Sequence, residues 1–157
     1  TFYLIHKFGV SVQDSQYYLF IFLFATAAGT LLGGPIGDKI GRKYVIWGSI
    51  LGAAPFTLVM PHVGLVPTII LSFLIGFILS SAFPAILVYA QELLPYKIGM
   101  ISGIFFGFAF GVAGIASAIL GNFADIYGIE YVYNVVAFTP LLGLIAYFLP
   151  DIKKKQS

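Results

Sequence analysis

The stretch GGPIGDKIGRKY, residues 33–44, places four charged residues and four glycines in twelve positions of a chain that is only 9% charged. Apolar runs flank it, and neither 18–32 nor 45–60 holds an Asp, Glu, Lys or Arg. A phosphate-binding loop and a turn at a membrane surface both concentrate Gly and Lys in this way. The first fails on spacing, because a P-loop needs G-x-x-x-x-G-K-[ST] between a strand and a helix. Here Gly37 is followed by Asp38, Lys39 and Ile40, and a carboxylate at that point repels phosphate. The membrane-surface turn remains.

Composition supports the turn. A soluble domain carries about 25% charged residues to solvate its surface. This chain is 60% hydrophobic and 17% aromatic with a mean hydropathy of +1.01, so lipid is the expected solvent. With no cysteine, disulfide frameworks and thiolate metal sites are excluded. A net charge of +2, unevenly placed, does not argue for nucleic acid. No Ser/His/Asp constellation occurs, and His6 and His62 fall in expected external loops as solvated side chains. Neither catalysis, a metal nor a cofactor is expected.

A hydrocarbon core of about 30 Å takes roughly 20 helical residues. Apolar runs of that order predict five spans, at about 16–36, 44–60, 66–90, 98–122 and 131–149, an all-α integral membrane bundle. Residues 1–5 read as the remnant of a preceding span, so the chain is expected to be a piece of a longer protein. Pro61, Pro67, Pro95 and Pro150 stand where spans should stop, while Pro55, Pro84 and Pro140 fall inside them. An internal proline removes a backbone hydrogen bond and kinks a helix. Pro84 is the best gating candidate, since SSAFP surrounds it with hydroxyls able to satisfy freed carbonyls.

The connectors sort by charge. Lys39, Arg42, Lys43, Lys97 and the tail lysines Lys153, Lys154 and Lys155 make up seven of the eight basic residues, all in alternate connectors. The first connector has only Lys7. By the positive-inside rule the opening loop and the tail, 150–157, are cytoplasmic. Tyr17, Tyr44, Trp47, Tyr127 and Tyr131 cluster near span ends, as interfacial aromatics do.

The opening motif has an echo. At an offset of 87 residues, GPIGDKIGRKYV (34–45) aligns with GNFADIYGIEYV (121–132). Gly34, Asp38, Gly41, Tyr44 and Val45 fall on Gly121, Asp125, Gly128, Tyr131 and Val132. Three crossings separate the copies, which puts them on opposite sides, as in the inverted repeats of secondary transporters. The second copy lacks the cations, having Ile126, Ile129 and Glu130 instead.

Glycines also recur every four residues. Gly29, Gly33 and Gly37 mark one face of the first span, and Gly99, Gly103, Gly107 and Gly111 one face of the fourth. Such faces let another backbone approach closely.

These residues carry a resemblance. Gly34 to Lys43 resembles the loop signature G-x-x-x-D-[RK]-x-G-[RK]-[RK] of the major facilitator superfamily, with Ile36 in place of the more usual Leu. QELLPYKIG (91–99) resembles its E-x-x-P-x-x-x-G segment. GGPIGDKIGRKYVIWGSILG, AILVYAQELLP and GMISGIFFGFAFG are similar to the fosmidomycin-resistance group of bacterial drug exporters, over nearly the whole chain. The resemblance implies the C-terminal six-helix half of a twelve-helix transporter with its first helix mostly missing, the five spans being helices eight to twelve. It further implies proton-driven efflux of a small drug by alternating access in the bacterial inner membrane. Partners would then be lipid, substrate, protons and the N-terminal half of the same protein.

Carried over by residue, Asp38, Lys39, Arg42, Lys43 and Glu92 would form a cytoplasmic charge cluster. An Arg42–Glu92 pair would latch one conformation, and Asp38 would face a helix N-terminus of the other half. The alternative is that these charges only fix topology and meet headgroups. Family architecture points to Ser80, Ser81, Phe83 and Tyr89 on the tenth helix, and Phe105, Phe106 and Phe110 on the eleventh, as cavity lining. Phenylalanine stripes also arise from packing or lipid contact. The competing functions are drug export, uptake or exchange of another solute, and a membrane scaffold without transport.

Overall fold

A computed structural model describes residues 1–148 of the chain; side chains 144, 146 and 147 are outside that description. The described residues form helices and no strand. They are α1 (Phe2–Phe8), α2 (Val12–Ile40), α3 (Arg42–Val59), α4 (Leu65–Leu93), α5 (Ile98–Tyr127) and α6 (Ile129–Val136). Tight 3₁₀ segments follow α3 at Met60–His62, α4 at Pro95–Lys97 and α6 at Thr139–Phe148. Among the described residues, four helices are long and apolar enough to cross a membrane, and the chain is an all-α membrane helix bundle.

α2, α4 and α5 have 29, 29 and 30 residues, about 45 Å at 1.5 Å per residue. They outrun a 30 Å core, so their charged ends stand at headgroup level. Ser11 starts α2. Its hydroxyl accepts the Asp14 amide at 3.0 Å and donates to the Asp14 carboxylate at 2.7 Å, and Asp14 suits the positive end of the helix dipole. Pro61 and Pro95 open 3₁₀ turns. Pro67 instead lies in the first turn of α4, where a missing N–H costs nothing.

The fifth predicted span, 131–149, is not one α-helix. α6 stops at Val136, and a 3₁₀ segment resumes at Thr139. Pro140 is the cause: it has no N–H for the Val136 carbonyl, and its ring crowds that turn. The Thr139 hydroxyl donates to the Val136 carbonyl instead, at 2.7 Å. Leu149, Pro150 and the tail lysines lie outside the described residues.

The two copies of the repeat share one backbone device. Gly41 (φ 100°, ψ 135°) joins α2 to α3, and Gly128 (φ 88°, ψ 151°) joins α5 to α6. Each donates its N–H four residues back, to Gly37 at 3.0 Å and Ala124 at 2.9 Å. Four residues on, buried Val45 and Val132 donate back to the glycine carbonyls. A side chain at such φ and ψ costs about 1–3 kcal/mol. Gly41→Ala and Gly128→Ala should each lower the thermal midpoint of the purified full-length protein. Gly64→Ala, at φ −75° with open space around it, should leave it unchanged.

α4 is the centre of the packing, with α2 on one side and α3 on the other, and α3 is backed by the segment Thr139–Phe148. Val45, Ile46, Ala85 and Tyr89 form a buried cluster between α3 and α4, edged by Ile50 and Ile86. Small residues fill the closest approaches, as expected where lipid offers no hydrophobic drive and van der Waals contact decides association. Ala25 and Ala53 are fully buried. α5 differs: it rests on α6 and lightly on α4, and of its side chains Ile101 alone is buried.

Candidate functional site

Asp38 stands in the last turn of α2, Arg42 at the first position of α3 and Glu92 in the last turn of α4. Each charge is the wrong one for its helix end, since helix C-termini repel anions and N-termini repel cations. Together they offset one another. Arg42 Nη2 lies 2.9 Å from Asp38 Oδ1, across the Gly41 joint, and Arg42 Nη1 donates to Glu92 Oε1. The Arg42 side chain is 18% exposed, against 62% for Asp38 and 37% for Glu92. One guanidinium fork thus ties the ends of three helices, with the cation the most desolvated member. Lys39 is exposed and Lys43 half-buried beside this cluster.

The two glycine ladders separate. A Cβ on Gly29 would lie 2.1 Å from the Phe77 carbonyl oxygen, and one on Gly33 2.2 Å from that of Ser81. α2 therefore crosses α4 backbone to backbone at these two positions. Gly37 is looser, with Ala85 Cβ at 3.7 Å. On α5, a Cβ at Gly99, Gly103, Gly107 or Gly111 meets nothing within 4 Å. That face packs on no described residue.

The crossing lies just before Pro84, which deprives the Ser80 carbonyl of its helical donor. The compensating hydroxyl comes from α2: Thr30 donates to its own Thr26 carbonyl at 2.9 Å and reaches the Ser80 carbonyl at 3.5 Å. Beside it, Ser49 of α3 and Ser81 of α4 share a hydrogen bond of 2.6 Å.

The seven residues expected to line a cavity have different surroundings among the described residues. Ser81 is spent on Ser49, and Tyr89 is buried between α3 and α4. Ser80 is half-buried near Thr30. Phe83 meets Phe106 edge-on, centroids 5.6 Å apart, and Phe106 stacks on Phe110 at 6.2 Å. Phe105 is exposed. A cavity of about 640 Å³ lies elsewhere, between the α3–α4 turn, α5 and α6, and none of the seven lines it.

Two groups of contacts escaped the sequence. Gln91 donates to Ser102 at 2.9 Å, tying α5 to α4 next to Glu92. At the opposite end, Lys7 donates to the Tyr3 hydroxyl at 2.9 Å and to the Pro61 carbonyl, and Tyr3 stacks on Tyr133 at 3.9 Å. The isolation of Lys7 as the first connector's lone cation was the available signal, but one of its partners, Pro61, is 54 residues away.

The family model described as Major Facilitator Superfamily matches residues 1–157. A fosmidomycin resistance protein of Escherichia coli (strain K12) is 64% identical over 156 residues, covering 99% of this chain and 38% of that protein. An uncharacterized MFS-type transporter of Bacillus subtilis (strain 168), YfnC, is 44% identical over 154 residues, 98% of this chain and 38% of its own. The 4-hydroxybenzoate transporter PcaK of Acinetobacter baylyi (strain ATCC 33305 / BD413 / ADP1) is 30% identical over 128 residues, 78% of this chain and 28% of its own. The chain spans less than half the length of each. No solved structure matches.

Proposed function

The chain belongs to the Major Facilitator Superfamily, and from that premise we propose that it is the C-terminal half of a secondary transporter exporting a small fosmidomycin-like drug. In this reading export is driven by protons and proceeds by alternating access, in a bacterial inner membrane with the C-terminus cytoplasmic. The observation that carries it is the Arg42 bridge from Asp38 to Glu92. While it holds, the ends of α2, α3 and α4 stay together and that face is closed; when it breaks, they separate. An ion pair at headgroup level suits such a switch, being strong enough to bias two states and weak enough to exchange them. The drug assignment is supported by the 64% identity to a fosmidomycin resistance protein. No Asp, Glu, Lys, Arg or His falls in the middle of a predicted span here, so the reading assigns the proton to no residue of this chain.

The test is accumulation of radiolabelled fosmidomycin in cells expressing the full-length protein. Accumulation should fall relative to empty vector, and a protonophore should restore it. Unchanged accumulation in energised cells would remove drug export. Transport of another small solute would then be favoured, a reading supported by the likeness to the 4-hydroxybenzoate transporter.

A further inference from the structure

The crossing of α2 and α4 loosens toward the Arg42 end. A Cβ added at Gly29 or Gly33 would strike α4 backbone, at 2.1 and 2.2 Å. One at Gly37 would meet side-chain atoms first, Ala85 Cβ and Arg42 Cγ at 3.7 Å and Val45 Cγ2 at 3.8 Å, in ordinary van der Waals contact. The change falls within one turn, and each helix carries a proline there, Pro35 in α2 and Pro84 in α4. Each proline leaves a carbonyl one turn back without its helical N–H, which lets the helix bend at that point.

Ser81 marks the last tight level. Its one hydroxyl hydrogen goes to the Ile78 carbonyl at 2.6 Å, so in the 2.6 Å contact with Ser49 the donor is Ser49. α3 is thereby pinned to α4 at the level where Gly33 pins α2.

Beyond that level α3 goes with α4. Ala85 and Tyr89 are buried against Val45 and Ile46, and Arg42 meets Glu92 at the end of the same interface. α3 packs far more on α4 than on α2, and Gly41, at φ 100°, is the joint between α2 and α3. The Arg42–Asp38 pair crosses that joint, on the most exposed carboxylate of the cluster. At the proline of α4, the Thr30 hydroxyl has one hydrogen and two acceptors, the Thr26 carbonyl at 2.9 Å and the Ser80 carbonyl at 3.5 Å. The nearer one holds it in this conformation.

We propose that the ends of α2 and α4 splay beyond the opposed prolines, with the start of α3 carried on α4. Arg42 then leaves Asp38 and keeps Glu92, and the Thr30 hydroxyl passes from the Thr26 carbonyl to that of Ser80, steadying the bent form of α4. The motion rests for its purpose on the reading of the Arg42 bridge as a latch, and it names the contact that opens.

The test reads thiol exposure in the full-length protein, cleared of other cysteines, in nanodiscs without a solute gradient, so it stands apart from drug export. Single thiols are introduced by Gly37→Cys, between α2 and the α3–α4 pair, and by Ile46→Cys, inside that pair; both positions are buried. N-ethylmaleimide is the probe. Asp38→Asn should raise the labelling rate at the first about fivefold, the effect of losing one partly exposed ion pair, and leave the second unreactive. On that background Thr30→Val should lower the first rate about fivefold, the effect of one hydrogen bond, and Thr30→Ser should keep it. With Pro84→Ala added, position 84 supplies its own N–H to Ser80, and Thr30→Val should change nothing. Labelling of both thiols alike, no response to Asp38→Asn, or an equal Thr30→Val effect with and without Pro84→Ala overturns the hinge. Should Pro84→Ala fail to fold, the two thiols and the contrast of Thr30→Val with Thr30→Ser still decide.

Discussion

Arg42→Ala in the full-length protein is expected to cut fosmidomycin export about tenfold or more, a change of ~1.4 kcal/mol, while insertion and abundance stay near wild type. The variant loses both N–H contacts and takes the guanidinium away from two carboxylates that stand at helix C-termini. An exposed ion pair is worth about 0.2–1 kcal/mol. Arg42 exceeds that because its side chain is largely desolvated and serves two carboxylates. Asp38→Asn should act in the same direction but less, Asp38 being the most exposed of the three. Arg42→Lys should recover only part of the activity, since an ammonium lacks the planar fork. Export and surface abundance are measured together in energised cells. Wild-type rates in both Arg42→Ala and Asp38→Asn would reduce the cluster to a topology signal.

Gly29→Val and Gly33→Val are expected to be the most damaging changes to folding, each costing about 3 kcal/mol or more. The obstacle in each case is backbone, the Phe77 and Ser81 carbonyls, which cannot rotate away as a side chain can. α2 and α4 would have to separate along their most extensive contact, and the Thr30 reach to Ser80 would be lost with it. Gly103→Val and Gly107→Val serve as controls, identical in chemistry and four-residue spacing but open to 4 Å. Thermal unfolding of the detergent-purified full-length protein should show a large drop for the first pair. If all four variants unfold alike, the α2–α4 crossing is not what holds this bundle. A drop at Gly103 or Gly107 alone would identify a partner for α5 beyond the described residues.

The contrast between these ladders shows where sequence reading stops. Spacing places glycines on a helix face whether or not another helix is there to meet it, so both ladders looked equivalent. The difference is tertiary: α4 lies against α2, whereas α5 stands away from it. The same limit explains Tyr89 and Ser81. The resemblance pointed to both as cavity lining, but rotation about the helix axis turns them onto α3, where Ser49 and the Val45 cluster receive them. Pro140 was visible in the sequence as an internal proline. Whether it kinks the helix or ends it depends on local hydrogen bonding, and here Thr139 takes over the freed carbonyl.

The membrane class, four of the helices and the sorting of charge to alternate connectors were legible because they rest on quantities additive along the chain, hydrophobic length and loop charge. The repeat was legible too, since glycine alone tolerates the backbone at Gly41 and Gly128. Tertiary structure decided which small-residue face meets another described helix and which hydroxyl answers a proline. Those depend on distances between segments up to 80 residues apart, as from Thr57 to Ala137, and short-range contact energies exist only once packing has brought such segments together.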